Sequence, residues 1–317
     1  MGSVDWFVPE DKSSHEQLIT VVIPLYNKEA EIKETLKSVL CQTYSPFEVL
    51  VVNDGSTDCS EDLVNSFEAP NLRLINQSNQ GVSVARNTGI AEAKTEWVAL
   101  IDGDDIWAPT HLENLVKLLK CYPGSELYST RITPDKDRLG TKKECVRIKD
   151  YSKYVLDEGW AVNSSSLMFT KRIWRLVGGF PQGETHGEDI VTWYKMSFYT
   201  DICVSDKVDV LYRNDCSNNA SRSIKDEDDA FVKYMDLRVI EGPEDVRFDE
   251  IEISNKMRIS KAFFLISSGA GWAAKKHLDK AVSTKRFKKI RIACMIACYL
   301  PPFLAKAIAQ SVLKCKS

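Results

Sequence analysis

No Gly-x-Gly-x-x-Gly follows any strand-like run of this chain, no Cys-x-x-Cys pair occurs, and the four histidines (15, 111, 186, 277) lie far apart. Each absence removes a class of function. Without the glycine fingerprint a dinucleotide cofactor is disfavoured. Nine cysteines, odd in number and scattered, do not form a disulfide framework. The start of the chain also lacks a basic-then-apolar segment, so a reducing, cytoplasmic compartment is expected. A histidine-based metal site would need distant residues to converge, and the histidines are assigned no chemistry. The uncharged run from Ile292 to Ala305 falls short of the ~20 residues that span a bilayer and is broken by Pro301 and Pro302.

What is present begins with length. At 317 residues and 44% hydrophobic the chain holds one large domain or two small ones with a real core. The net charge of −3 hides an asymmetry: residues 271–317 carry eleven Lys/Arg and one acid, about +10, so residues 1–270 carry −13. An acidic body argues against nucleic acid as a partner, whereas a basic tail interleaved with apolar residues is the footprint of an anionic membrane surface.

Residues 1–17 are polar and aperiodic and read as a flexible tail. Leu18–Pro24 is a β-branched run, and Glu29–Gln42 then places Ile32, Leu36, Val39 and Leu40 at helical spacing. Phe47–Val52 repeats the strand signal, and Asp58-x-x-Glu61 offers a capping box to a helix through Phe67. Leu72–Ile75 is a shorter strand, Val82–Ala93 a helix, and Trp97–Ile101 a strand apolar enough to be buried on both faces. Strands alternating with helices predict an α/β fold with a doubly wound, mostly parallel sheet flanked by helices.

Trp97–Ile101 ends in Asp102-Gly103-Asp104-Asp105. Unpaired carboxylates are too costly to bury, so all three acids are expected at the strand's carboxyl end, facing water, a cation or a ligand. Two carboxylates separated by one glycine can converge on a hard cation that takes its other ligands from substrate phosphates. The same tetrapeptide is also good turn chemistry, so its neighbours decide. The first strand ends in Pro24-Leu25-Tyr26-Asn27, the second in Asn53-Asp54-Gly55-Ser56, and the third in the polar stretch Asn76 to Gly81. A parallel sheet gathers these turns at one edge. Tyr26 to cover a base, Asp54 to accept from a base N–H, Asp102 to reach ribose hydroxyls and Arg86 to pair with phosphate form a set that suits a nucleotide.

Four stretches carry a resemblance. Residues 21–27 (Val-Val-Ile-Pro-Leu-Tyr-Asn), 51–58 (Val-Val-Asn-Asp-Gly-Ser-Thr-Asp), 79–89 (Asn-Gln-Gly-Val-Ser-Val-Ala-Arg-Asn-Thr-Gly) and 101–105 (Ile-Asp-Gly-Asp-Asp) resemble, in order, the motifs of glycosyltransferase family 2. The likeness runs from about Leu18 to about Arg213. It implies a GT-A fold, a nucleotide-sugar donor and inversion at the anomeric carbon. It also implies that Asp102 and Asp104 are an Asp-x-Asp pair, with Asp104 the main ligand of Mn²⁺ or Mg²⁺. Pro24, Tyr26, Asn27, Glu29, Asp54, Arg86, Asp102 and Gly103 would then form the donor site.

Residues 126–160 carry little pattern. Val162–Thr170 reads as a strand and Lys171–Val177 as a short helix, followed by the turn Gly178-Gly179-Phe180-Pro181. A polar loop then leads to Glu188-Asp189 at the head of a helix through Phe198. First-turn acids usually complement the helix dipole. The resemblance instead implies Asp189 as catalytic base, with Glu188 and Trp193 on the acceptor side. Leu211-Tyr212-Arg213 and Ser221-Arg222-Ser223 resemble a segment near the donor phosphates, which makes Arg213 and Arg222 candidate diphosphate ligands. Asp226–Val239 and the chain from about Asp249 read as helices. The basic edge near Lys285–Arg291, with the apolar patch after it, is either a packed helix or an interfacial one.

On this reading the chain comprises a flexible tail (1–17), a nucleotide-sugar-binding half (18–125), an acceptor-binding half (126–224) and a mainly helical extension with a basic amphipathic tail (225–317). The implied activity is metal-dependent, inverting transfer of a hexosyl group from a nucleotide-sugar, expected to be a UDP-sugar, to a saccharide or lipid-linked saccharide. Such an enzyme would serve polysaccharide biosynthesis of the O-antigen or capsule kind, in the cytoplasm or on the inner face of its membrane. A nucleotidyltransferase would want a glycine-rich basic loop where Pro24-Leu25-Tyr26-Asn27 stand. A processive synthase would want membrane spans and a Gln-x-x-Arg-Trp segment. A catalytically silent scaffold would tolerate loss of Asp54, Asp102, Asp104 and Asp189, all of which are present.

Overall fold

The computed structural model describes residues 19–45, 47–142, 144–184, 186–213, 228–241, 248–281, 284–300 and 304. β1 (Ile19–Leu25) and β2 (Phe47–Asp54) are buried at every position, which is why their sequences are continuous rather than alternating apolar runs. With β3 (Leu72–Gln77) and β4 (Trp97–Leu100) they form a parallel block in the order β3-β2-β1-β4. Beyond β4 the sheet continues with β8 (Leu167–Thr170), antiparallel to both β4 and β6 (Leu127–Thr133). β9 (Ile202–Leu211) lies parallel to β6 and carries the short β5 (Ile106–Trp107) and β7 (Val146–Ile148) antiparallel to it. β1, β2, β3, β4, β6 and β9 thus run one way, as a mostly parallel sheet requires.

Strand alternation divides the core into two layers. Val21, Ile23, Ala99 and Ile101 face one side, where α1 (Ile32–Leu40), α2 (Ser60–Asn65) and α4 (His111–Cys121) pack. Val22, Val98 and Leu100 face the other, with α3 (Val82–Glu92), α5 (Tyr151–Asp157), α6 (Lys171–Leu176) and α7 (Glu188–Met196). The same layer continues into α8 (Ala230–Glu241), α9 (Phe248–Ser267), α10 (Gly271–Lys280) and α11 (Lys288–Ala297). The sheet is therefore doubly wound, with a helical C-terminal region sharing one of its cores. Gly89 explains how closely α3 lies on β1, because a Cβ there would stand 2.3 Å from a Val22 methyl. That close seat fixes the height of Arg86, one turn earlier.

The chain passes outward from β1 through β2 to β3, then returns to the opposite side of β1 as β4. The switch point between β1 and β4 is where open α/β sheets form a ligand crevice. Residues 24–28 and 102–104 flank it.

The strand expected over Val162–Thr170 shortens to Leu167–Thr170. Residues 163–166 form a polar turn instead, since Ser166 Oγ donates to the Asn163 carbonyl at 3.0 Å and Asn163 Oδ1 accepts from Ser165 N at 3.0 Å. Serine and asparagine divert backbone groups from a ladder in this way. The weakly patterned stretch 126–160 contains β6, β7 and α5. The expectations for residues 1–17 and for Ser221-Arg222-Ser223 lie outside the described residues.

His111, in the first turn of α4, is fully buried, stacked 4.1 Å from the Trp107 ring and 3.1 Å from Thr130 Oγ1 through Nδ1. Burial pulls its pKa down to about 3. The folded state therefore holds neutral histidine, whereas the unfolded chain takes up a proton below about pH 6.5. The neutral ring's stability is fully present above that value and falls by about 1.4 kcal/mol per pH unit as pH drops toward 3. His111→Phe keeps the ring and is expected to flatten the melting temperature between pH 6.5 and 4 relative to wild type. Parallel pH profiles for the two proteins would refute this account.

Candidate active site

The crevice at the switch point opens into a cavity of about 540 Å³. Pro24, Tyr26, Asp54, Arg86, Asp102, Gly103 and Asp104 reach it from the β1, β2, α3 and β4 side. Glu188 and Asp189 reach it from the head of α7. Tyr212, from the Leu211-Tyr212-Arg213 segment, also lines it, as do Lys28, Ser164 and His186, to which the sequence assigns no role.

Arg86 stands at the centre. Its Nη2 donates to Asp102 Oδ1 at 2.8 Å and its Nη1 to Glu188 Oε1 at 3.0 Å, with 5% of the side chain exposed. Phe180 lies beneath the guanidinium at 5.3 Å. Burial by itself lowers the pKa of such a group, but Asp102, Glu188 and Asp189 more than offset it and hold Arg86 above its ordinary value. Burial pushes the Glu188 carboxyl up, Asp189 adds to the push, and Arg86 opposes both. The two terminal nitrogens of Arg86 bond to carboxylates, and the guanidinium charge is what allows Glu188 to be buried. Glu188 is accordingly a buried counter-ion of Arg86.

The three acids after β4 part company. Asp102 and Asp104 keep 29% and 15% of their side chains exposed. Asp105 turns inward, fully buried, and corrects the expectation that all three face solvent or a ligand. Its Oδ2 accepts from Ser165 Oγ at 2.5 Å and its Oδ1 from Arg213 N at 3.1 Å. Burial, reinforced by the charge of Asp102, pushes its pKa up to about 8, while the hydrogen bonds from Ser165 and Arg213 pull it back down. Ser165 Oγ also accepts from Asp102 N at 3.0 Å and so ties the acid turn to the 163–166 turn.

Arg213 joins α1 to the acid turn. Its Nη1 donates to Glu34 Oε2 at 2.6 Å, its Nη2 to the Glu31 carbonyl at 3.2 Å and its Nε to the Asp104 carbonyl. Asn27 and Glu29 likewise serve as braces. Asn27 Oδ1 accepts from Thr57 N at 2.8 Å, and Glu29 Oε2 accepts from Cys59 N at 2.9 Å, which locks the turn after β1 to the turn after β2. Trp193 is 2% exposed and packs edge-on against Phe180 at 5.2 Å, in the core rather than on an acceptor surface.

Asp54 is 3% exposed and organises the turn after β3. Its Oδ1 accepts from Gln77 Nε2 at 2.7 Å and Gln80 N at 2.9 Å, and its Oδ2 from Gly81 N at 2.8 Å. Three of the roughly four acceptor positions of a carboxylate are therefore used. Asp189 accepts from Ser164 Oγ at 3.1 Å and from Ile190 N at 2.7 Å, which fixes the carboxylate at the cavity wall. Gly187, at φ 75°, turns the chain into α7, and α8 supports the preceding loop because Ala230 N donates to the His186 carbonyl at 2.9 Å.

Among the described residues no group of three or more His, Cys, Asp or Glu converges as a metal cage. The donor set fits a cation of another kind. Asp102 and Asp104 are hard oxygen ligands at the rim of a cavity, suited to an octahedral ion that completes its shell with water and phosphate oxygens. Lys28 is the residue that sequence reasoning missed here: its Nζ donates to Asp104 Oδ2 at 2.6 Å. The polar run Asn163 to Ser166, unusual at the start of a buried strand, was the available signal for Ser164 and Ser165.

Comparison with known proteins agrees with this geometry. The family model described as glycosyl transferase family 2 matches residues 20–173. An uncharacterised glycosyltransferase, YibD, of Escherichia coli K12 is 39% identical over 102 residues, covering 32% of this chain and 30% of the relative. Glycosyltransferase GlyA of Streptococcus pneumoniae is 40% identical over 106 residues, 33% of this chain and 15% of the relative. The matched stretch thus spans a third or less of these relatives. Among solved structures, Staphylococcus aureus TarS 1–349 in complex with UDP-GlcNAc superposes with a TM-score of 0.68 at 20% identity, covering 94% of this chain and 92% of that one. That likeness extends over the C-terminal helices and shows the GT-A fold. Residues 20–173 thus resemble glycosyl transferase family 2, and the motifs they carry gather around the switch point of a GT-A sheet.

Proposed function

We propose that this protein is an inverting glycosyltransferase that moves a sugar from a nucleotide-sugar to a hydroxyl of a saccharide or lipid-linked saccharide. The observation that carries the proposal is the shared cavity. Asp102 and Asp104 border it from the end of β4 and Asp189 borders it from the head of α7, with Arg86 bonded to both sides. The complexes of TarS with UDP-GlcNAc and with UDP support a UDP-sugar as donor.

Tyr26, 40% exposed at the rim, offers its face to a base, a contact that tolerates any base. Asp54 retains acceptor capacity for a base N–H, and Asp102 keeps one carboxylate oxygen beyond its bond to Arg86 for ribose hydroxyls. Asp104, with Asp102 beside it, would hold Mg²⁺ or Mn²⁺. A divalent ion there supplies charge stabilisation to the departing diphosphate. Asp189, oriented by Ser164, takes the proton of the acceptor hydroxyl as its oxygen attacks the anomeric carbon. The bond from that carbon to the diphosphate breaks on the opposite face, so the configuration inverts and no covalent intermediate forms.

The acceptor side extends the proposal to polysaccharide assembly at a membrane. No helix among the described residues is long and apolar enough to cross one. Instead Trp272 is 89% and Tyr299 71% exposed, each next in sequence to one of two residues, Gly271 and Cys298, whose backbones pack together. Ile292 and Ile296 continue the exposed face of α11, with Lys285, Lys288 and Lys289 at its basic end. Such a face suits peripheral attachment to an anionic surface on the cytoplasmic side.

Four measurements test this reading. Asp189→Asn keeps the size of the side chain but accepts no proton; turnover with acceptor should fall by roughly 10²–10⁴-fold while donor binding persists. Glu188→Gln should instead lower the melting temperature, since it strips a charge from buried Arg86. An active Asp189→Asn protein would remove the base assignment. Asp104→Ala should abolish Mn²⁺-dependent nucleoside diphosphate release in a screen of nucleotide-sugars, and undiminished metal dependence would reassign the cation. Trp272→Ser combined with Ile296→Ser should weaken flotation with anionic vesicles at low salt and spare donor hydrolysis. A wild-type protein that ignores such vesicles at every ionic strength would leave α11 as an ordinary surface helix.

A further inference from the structure

Lys28 belongs to none of the expected donor contacts, yet it is the cation placed most directly on the acid turn. Asn27 adopts φ 50°, a left-handed turn that brings the next residue back over the end of β4. The Lys28 backbone is pinned there. Its N–H donates to Ser60 Oγ at 2.8 Å, and its carbonyl accepts from Ile32 N at 2.8 Å in the first turn of α1. The stem crosses Gly103, where a Cβ would stand 3.6 Å from Lys28 Cγ and 3.2 Å from the Pro24 carbonyl. Nζ then lies 2.6 Å from Asp104 Oδ2, with 13% of the lysine and 15% of the aspartate side chain exposed.

An ammonium so placed holds the carboxylate assigned above to the divalent ion. Bringing a divalent cation to Asp104 sets two like charges within a few ångströms of each other in a half-enclosed cavity, where screening is weak. A diphosphate relieves this conflict because its oxygens offer negative charge to both cations. Arg86 is not suited to that exchange, since Asp102 and Glu188 already hold its terminal nitrogens. Lysine is: its charge is compact and its four-carbon stem pivots without disturbing the backbone.

We propose that Lys28 is a diphosphate-binding residue stored on Asp104 until the donor arrives, and that its transfer from carboxylate to diphosphate couples metal binding to nucleotide binding. The empty protein then binds a divalent ion weakly. Nucleoside diphosphate raises metal affinity, and by linkage the metal raises nucleotide affinity by the same factor. This inference rests on the assignment of Asp104 as metal ligand.

The test measures Mn²⁺ binding to the full chain by electron paramagnetic resonance, without and with saturating UDP, and UDP binding by calorimetry. In wild type UDP is expected to raise Mn²⁺ affinity roughly tenfold or more. Lys28→Met should bind Mn²⁺ alone roughly tenfold more tightly than wild type, lose most of the enhancement by UDP, and bind UDP more weakly. Lys28→Gln, which keeps a hydrogen bond to Asp104 without the charge, should lose the coupling too and guards against a folding defect in Lys28→Met. Lysine variants with wild-type Mn²⁺ affinity and intact coupling would overturn the inference. Asp104→Asn separates that failure from a failure of the metal assignment: if it binds Mn²⁺ in the presence of UDP as wild type does, Asp104 is not the ligand and both readings fall.

Discussion

A guanidinium buried between two carboxylates is the contact on which the rest of the site depends. Asp102 ends β4, Glu188 begins α7, and Arg86 on α3 bonds to both. Breaking a buried pair by removing one partner typically costs about 3–5 kcal/mol, because the remaining charge is stranded without water. The strength of the contact therefore lies in mutual dependence. Arg86 stays buried because both acids neutralise it, and each acid keeps its position because Arg86 holds it. The arrangement joins the end of the parallel block to the helix that carries Asp189, and the 163–166 turn adds a second link through Ser165 to Asp102 and Ser164 to Asp189.

Charge around this contact is apportioned by hydrogen bonding. Asp105 is buried as a scaffold for Ser165 and Arg213, and burial pushes its pKa up. Asp104 faces the Lys28 ammonium and Asp102 faces Arg86. On the proposed reading a diphosphate and its cation meet two acids, Asp102 and Asp104, that already bond to Arg86 and Lys28, so a new ion must displace or share those contacts.

The C-terminal helices are part of this construction. Their apolar residues share a core layer with Val22, Val98 and Leu100 of the parallel block. The start of α8 meets the loop that leads into α7, through the Ala230 bond to the His186 carbonyl and the Lys233 bond to Glu184 at 2.8 Å. Asp229 lies 3.4 Å from where a Gly187 Cβ would stand. The helical extension therefore supports the segment from which Asp189 projects. That role was hidden in the sequence, where the family likeness fades before α8 begins.

The sequence by itself determined the elements and the turns. Continuous β-branched runs required strands buried on both faces, apolar residues at helical spacing required α1 and α3, and their alternation required a doubly wound sheet whose polar turns share one edge. Tyr26, Asp54 and Asp102 to Asp104 were legible because turn chemistry and the limits on burying charge are local properties. Only the tertiary structure decided which charges meet. Arg86 and Glu188 are 102 residues apart, Lys28 and Asp104 are 76 apart, and Arg213 reaches α1 across 179. Such pairings follow from where the sheet brings helix heads and strand ends together, so no spacing along the chain encodes them. The same reason explains the reassignment of Asp105, Asn27, Glu29 and Trp193: each is a residue type able to serve a ligand or the fold, and the choice rests on which partners folding places within about 3 Å.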